Sequence, residues 1–426
     1  MTPMMAQYLN LKNQYQDALL FYRMGDFYEL FFEDAVAAAE ALDIALTKRG
    51  KHLGEDVAMC GVPHHAAESY LLTLIRKGFR VAVCEQMESP SEAKKRGSKS
   101  VVNRDVVRLV TPGTLTEDSL LEARQHNFLA AFVKLRDDCA LAWVDISTGG
   151  LWVELIPLVK LGPELARLRP SELLIPDSLF ESLIGVTEEF SCALTPLSAV
   201  NFDSVSGEVR LKALFKIETL EAFGKFDRVE VSALGALVHY LDITQKGRLP
   251  LLQKPKQQSA LRIMQIDAAT RRSLEVTKAL NGKRQGSLLN TIDKTITAAG
   301  ARLLEQRLSS PSLDVSEILL RLDAVDDLCA QPLLRDKIRD ALRNVPDLER
   351  ALTRLSFDRG GPRDLVNIRS GLMQAKAIAD ILSFETLSAH LSTASSTLDG
   401  HQELLSFLDN ALIDEPPLLT RDGGFI

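Results

Sequence analysis

Paired cysteines, long apolar runs and an excess of positive charge are all missing from this sequence, and each absence removes a class of protein. Cysteine occurs at Cys60, Cys84, Cys139, Cys192 and Cys329, an odd number with no close pair. That spacing argues against a disulfide framework and for a reducing compartment. No apolar stretch approaches the roughly 20 residues needed to span a bilayer. The opening Met1-Thr2-Pro3-Met4-Met5-Ala6-Gln7 has neither the basic start nor the apolar run of a signal peptide. The expected location is therefore the cytoplasm, with no membrane partner. Lys and Arg total 50 against 57 Asp and Glu, a net charge of -7, so any nucleic-acid site must be a local basic patch. A Gly-x-x-x-x-Gly-Lys-Ser/Thr phosphate loop does not occur, and Gly282-Lys283 is too short a match to count. Low-complexity segments and internal repeats are absent as well.

Aromatics are scarce overall, at 6%, yet five of them crowd the run Phe21-Tyr22-Arg23-Met24-Gly25-Asp26-Phe27-Tyr28-Glu29-Leu30-Phe31. Phe21, Tyr22, Tyr28, Phe31 and Phe32 read as core residues. Phe27 differs, because it follows the turn signal Gly25-Asp26. If the segment is extended there, Phe27 and Glu29 share one face. Glu29 has no basic residue close behind it in sequence and reads as a lone acceptor. A ring beside an acceptor suits a flat partner such as a nucleobase. Wedging a ring into a base step costs a few kcal/mol of stacking, and least at a mispair or bulge, which is a physical route to preferring faulty pairing. The carboxylate can accept a hydrogen bond from a base edge, although phosphates repel it.

The 426 residues suffice for several domains. Residues 1–113 read as a mixed α/β unit. Its expected helices span Gln7–Tyr15, Asp34–Leu42 and Ala66–Lys77, and its strands Leu19–Met24, Arg80–Cys84 and Val101–Val110; Thr47–Lys51 reads as a basic turn. Residues 120–255 read as a second α/β unit, with strands at Phe128–Lys134, Ala140–Asp145 and Leu151–Leu155, a helix-to-strand passage at Arg169–Pro176 and a long helix over Val231–Asp242. From 256 to 426 the pattern is helical, with segments at Asp267–Leu280, Gly300–Leu308, Ser316–Cys329, Pro332–Arg343, Asp364–Leu382 and His401–Leu412. The apolar faces of this part call for partner helices.

Two basic clusters could neutralise phosphates: Lys48, Arg49 and Lys51, and then Lys94, Lys95, Arg96, Lys99, Arg104 and Arg108. Solvated loops are the bland alternative. Three rival chemistries are open. Cys60, His64, His65 and Cys84 give a loose zinc pattern lacking a second pair. Asp145 before Gly149-Gly150 is similar to an RNase-H-like sheet, which as a metal-dependent nuclease would need further carboxylates such as Glu154; a simple hairpin cap is the other reading. A glycosylase would need Glu29 in a base-flipping pocket. The last alternative is an inert scaffold or interaction fragment.

The run around Phe27 resembles the Phe-x-Glu motif of the MutS family of DNA mismatch-recognition proteins. Leu42-Asp43-Ile44-Ala45-Leu46-Thr47-Lys48-Arg49-Gly50, Cys60-Gly61-Val62-Pro63-His64-His65-Ala66, Val83-Cys84-Glu85-Gln86 and Arg108-Leu109-Val110-Thr111-Pro112-Gly113-Thr114 are similar to family segments in the same order. So are Asp145-Ile146-Ser147-Thr148-Gly149, Asp267 through Glu275, Pro346 through Arg350 and the closing Arg421 through Ile426. His64 and Cys60 depart from the usual family residues. The resemblance implies a mismatch-binding domain, an RNase-H-like connector and the first part of an all-α lever or core, with Phe27 as the wedge and Glu29 as the base contact. Its partner would be double-stranded DNA with mispairs or small loops, at the nucleoid. The clamp and ATPase of the family are not encoded in these residues. Catalysis, ATP and Mg are thus not expected here, whereas a homodimer and a MutL-type partner belong to the complete family. Weak DNA binding is the expectation for the chain by itself.

Overall fold

The computed structural model describes residues 2–97, 100–190, 192–357, 359–383, 385–417 and 420–426. The first unit holds strands β1 (Leu19–Met24), β2 (Phe27–Phe31), β3 (Thr47–His52), β4 (Glu55–Pro63), β5 (Val81–Gln86) and β6 (Arg104–Val110). They form one sheet in the order β3-β4-β2-β1-β5-β6. Only the β1–β5 pair within it is parallel. Helices α1 (Pro3–Gln14), α2 (Phe32–Leu42), α3 (Ala67–Arg76) and α4 (Pro90–Lys95) complete the unit. The alternation of strand side chains divides the core into two layers. Phe21, Tyr28 and Leu30 pack with Ala35 and Ala38 of α2 and with Leu71 and Leu74 of α3. Leu20, Tyr22 and Phe31 pack on the other face with Met5, Tyr8 and Leu11 of α1. Asp34 is buried at the start of α2, where it accepts from the Leu20 backbone N–H at 2.9 Å and pairs with Lys12 at 2.8 Å.

The expected basic turn at Thr47–Lys51 is instead the edge strand β3. Its ladder with β4 shifts register between Lys48 and Lys51, around Gly50 at φ +70°. The chain reverses later, at Leu53-Gly54, both with positive φ. The last strand of the unit starts at Arg104 rather than Val101.

The second unit contains β7 (Phe128–Leu135), β8 (Asp138–Asp145), β9 (Gly150–Leu155), β10 (Glu172–Pro176), β11 (Ala193–Leu197) and β12 (Lys256–Gln258), ordered β11-β10-β7-β8-β9-β12. The first three are an antiparallel meander; β10, β11 and β12 add in parallel. Helices α5 (Leu161–Leu168) and α6 (Phe180–Glu189) belong to this unit, as do α7 (Ser204–Phe215) and α8 (Arg228–Thr244). Thirteen of the 17 residues of α8 are buried, packed between the sheet and α7. α7 and α8 cross at Gly207 and Gly235, where a Cβ on Gly235 would stand 2.3 Å from the Gly207 Cα.

Beyond residue 258 the chain is helical, through α9 (Ala268–Ser273), α10 (Leu288–Ile292), α11 (Ala298–Ser309), α12 (Val315–Ala330), α13 (Pro332–Leu342), α14 (Leu348–Ser356), α15 (Pro362–Ser383), α16 (Ala389–Ser396) and α17 (Gln402–Ala411). The helix expected over Asp267–Leu280 stops at Ser273. Glu275 takes a left-handed backbone at φ +48°, and its carboxylate accepts from the Leu280 N–H at 2.6 Å, closing a loop instead of another turn. Apolar side chains on α12 stay exposed, among them Leu319, Leu322 and Val325.

Arginines of this helical part hold the connection between the first two units. Arg302 Nη1 donates to the Ala123 carbonyl at 2.9 Å, and Arg350 Nη2 to those of Glu122 at 3.1 Å and Gln125 at 2.9 Å. Arg354 pairs with Asp118, and Arg359 Nη1 donates to the Thr116 hydroxyl at 3.0 Å. Burial of Arg359 and the nearby Arg248 charge lower its pKa to about 10. No helix among the described residues is long and apolar enough to cross a membrane.

Candidate nucleic-acid interface

The site grows from the β1–β2 hairpin. Met24 pairs with Phe27, so Gly25 and Asp26 alone make the turn, and Gly25 supplies the positive φ (+60°) such a turn needs. The His64 backbone N–H donates to the Asp26 carbonyl at 2.7 Å, tying the end of β4 to the turn. The Tyr28 hydroxyl donates to the Glu85 carboxylate, and burial first, then that carboxylate, raise the Tyr28 pKa. Arg23 covers the Tyr28 ring at 5.5 Å. The hairpin is thereby held from both sides. Phe21, Tyr22, Tyr28 and Phe31 are no more than 5% exposed, whereas Phe27 is 47% exposed. The pleat sets Glu29 on the same face as Phe27.

Glu29 is not the lone acceptor expected from sequence. Its Oε2 is ion-paired with Nη1 of Arg49, which reaches over from β3. Local sequence hides this partner because the two residues are 20 apart; recognising Thr47–His52 as a strand would have revealed it.

The remaining basic residues divide by position. Lys48 pairs with Asp56 at 2.9 Å. Lys51 is exposed and has no partner among the described residues. Lys94 and Lys95 end α4 and are exposed; Ser89 and Glu92 cap the start of that helix with a reciprocal capping box. Arg96 is ion-paired with Glu88 and donates to the Val101 carbonyl at 3.0 Å. Lys99 lies outside the described residues. Arg104 turns inward, with its Nε on the Arg23 carbonyl at 2.6 Å and its guanidinium over the Tyr22 ring at 4.9 Å. Arg108 is paired with Glu117, and burial lowers its pKa to about 10.

Register places these groups along the sheet. β5 runs parallel to β1 and Arg104 pairs with Gln86, so α4 and its lysines lie at the hairpin-turn end. Thr47 pairs with Met59, which pairs with Phe31, so Lys48 and Lys51 lie towards the far end of β2. The two basic clusters are therefore not one patch.

The rival sites do not assemble. Asp145 is fully buried; it accepts from the Ser147 N–H at 2.9 Å and hydroxyl at 2.6 Å and contacts His126 Nδ1 at 2.7 Å. Burial opposes its ionisation, yet the hydrogen bonds from His126 and Ser147 hold its carboxyl below the usual range. This is the hairpin cap. Glu154 pairs with Leu141 on β8, four residues from Asp145 and so about 14 Å along the strand. Cys60 and Cys84 belong to opposite core layers, and burial raises both thiols, to about 11 and about 12. No group of metal-ligating side chains occurs among the described residues.

Models described as MutS domain I, MutS domain II and MutS domain III match residues 2–119, 127–253 and 269–426. Over 426 residues the chain is 63% identical to a protein of Ruegeria sp. (strain TM1040) named DNA mismatch repair protein MutS, covering 100% of this chain and 48% of that relative. The identically named protein of Ruegeria pomeroyi is 64% identical, with 49% of its length covered, and that of Paracoccus denitrificans is 60% identical over 425 residues. The chain thus spans about half the length of the curated relatives it matches.

Proposed function

The chain belongs to the MutS family of mismatch repair proteins, and from that premise we propose that its first domain reads mispaired or bulged double-stranded DNA through Phe27 and Glu29. One observation carries the reading. In a hairpin whose other aromatics are buried, Phe27 is 47% exposed at the first position of β2, directly after the two-residue turn. A ring so presented can enter the minor groove and unstack a base step, at least cost where pairing is already faulty. Glu29, two residues on and on the same face, would accept a hydrogen bond from the base edge. Lys94, Lys95 and Lys51, exposed on either side, are suited to phosphate contacts, with Lys48 if its pair with Asp56 opens.

In this reading residues 120–255 act as an RNase-H-like connector, supported by an antiparallel meander extended by parallel strands, to which β12 adds just beyond. The helices beyond 258 are the lever and core, and residues 1–426 carry no catalysis of their own. A second copy and a MutL-type protein are proposed partners of the whole protein.

The test compares two duplexes that differ by one unpaired thymine, using fluorescence anisotropy. The chain should prefer the bulged duplex by about tenfold, and Phe27→Ala should bring the two to parity while keeping salt-dependent binding. Equal binding by the parent chain would refute the reading.

A further inference from the structure

We propose that Arg49 is the built-in counter-ion of Glu29, a positioning residue that lets a carboxylate work beside DNA, and not primarily a phosphate contact. The inference rests on the mismatch-reading assignment above and deepens it.

Three local features converge on this one ion pair. First, β3 bulges: its register with β4 shifts between Lys48 and Lys51, and Gly50 takes φ +70°. A bulge re-aims the side chain beside it. Second, Arg49 must cross β4 to reach β2, and the β4 residue paired with Glu29 is Gly61. A Cβ there would stand in ordinary contact, 3.8 Å from Glu29 Cγ and 3.9 Å from Phe27 Cδ1, so Gly61 continues the face that carries both without adding a side chain to it. Third, Arg49 Nη1 bonds Glu29 Oε2 and also stands 3.9 Å from Met59 Sδ, which borders the crossing. No hydrogen bond reaches Glu29 Oε1 among the described residues. One carboxylate oxygen is held and the other remains able to accept.

The physical need for such a partner is plain. A bare carboxylate approaching a polyanion is repelled at every phosphate within the screening length. Paired with Arg49, the group arrives with no net charge but with one oxygen directed as the pair holds it. Glu29 is 15% exposed and Arg49 43%, so the solvent-facing member of the pair is the cation.

The experiment measures binding of the 426-residue chain to paired and thymine-bulged duplexes across a salt series. Variants are Arg49→Ala, Arg49→Lys, Glu29→Gln, the Arg49→Ala/Glu29→Gln double and Phe27→Ala. Arg49→Ala should reduce the preference for the bulged duplex by about tenfold and change affinity for paired DNA by less than about twofold. Glu29→Gln should restore most of the lost bulge affinity in the Arg49→Ala background, because no charge then needs compensation. Arg49→Lys should fall between parent and alanine. The inference is overturned if Arg49→Ala weakens both duplexes equally, lowers the salt slope by about one and is not rescued by Glu29→Gln, which is the pattern of a phosphate contact. If the parent shows no bulge preference and Phe27→Ala matches it, the mismatch-reading assignment itself fails and takes this inference with it. The Phe27 variant tells the two failures apart.

Discussion

Phe21 is 1% exposed and Phe27 is 47% exposed, although both belong to one hairpin. The difference comes from what surrounds each ring: Phe21 faces α2 and α3, whereas Phe27 begins β2 beside the turn and belongs to neither core layer of the sheet. A second contrast at this scale concerns carboxylates. Asp145 is buried with two donors from Ser147, while Glu154 is buried beside Glu164 with one oxygen unbonded. Burial first, and Glu164 next, push the Glu154 carboxyl from 4.5 up to about 7. Between those values the unfolded chain has released its proton and the native chain has not. Stability should therefore fall as pH rises through that window and level off above it. Glu154→Gln should flatten this stretch of the thermal midpoint against pH and stabilise the protein at pH 8 by about 2 kcal/mol. Arg167 would keep Glu164 as its partner at 2.6 Å. An unchanged pH profile would show that Glu154 is not the titrating group.

Elements add constraints that no single residue carries. The crossing of α7 and α8 depends on backbone meeting backbone at Gly207 and Gly235. Gly235→Ala inserts a methyl where only backbone can yield, so it should cost about 1–3 kcal/mol in denaturant unfolding. Strand β1 was legible, because Leu19 through Met24 is a short apolar run ended by a glycine turn. β3 was not: Thr-Lys-Arg-Gly-Lys-His has no apolar alternation, since it is an exposed edge strand whose pairing comes entirely from β4. α9 failed in the opposite direction, because apolar spacing continued past Ser273 while the backbone at Glu275 turned left-handed.

For the whole molecule the deciding feature is the connection from Thr116 to Gln125, held by arginines far away in sequence. Arg350→Ala removes the donors to the Glu122 and Gln125 carbonyls. Limited proteolysis should then cut near these residues several-fold faster, with the circular dichroism spectrum unchanged. Equal cleavage rates would mean that Arg302, Arg354 and Arg359 suffice to hold the segment.

Sequence by itself determined the family, through motifs that follow one another in order along the chain, and it marked Phe27 as the aromatic out of place. Both signals are local, written in neighbouring residues and their spacing. Only the tertiary structure decided that Glu29 has a counter-ion, that Arg104 and Arg108 turn inward, and that the basic clusters lie at different ends of the sheet. Those outcomes depend on strand order, register and a bulge. These bring together residues such as Glu29 and Arg49 across an intervening strand, a proximity that separation along the chain does not encode.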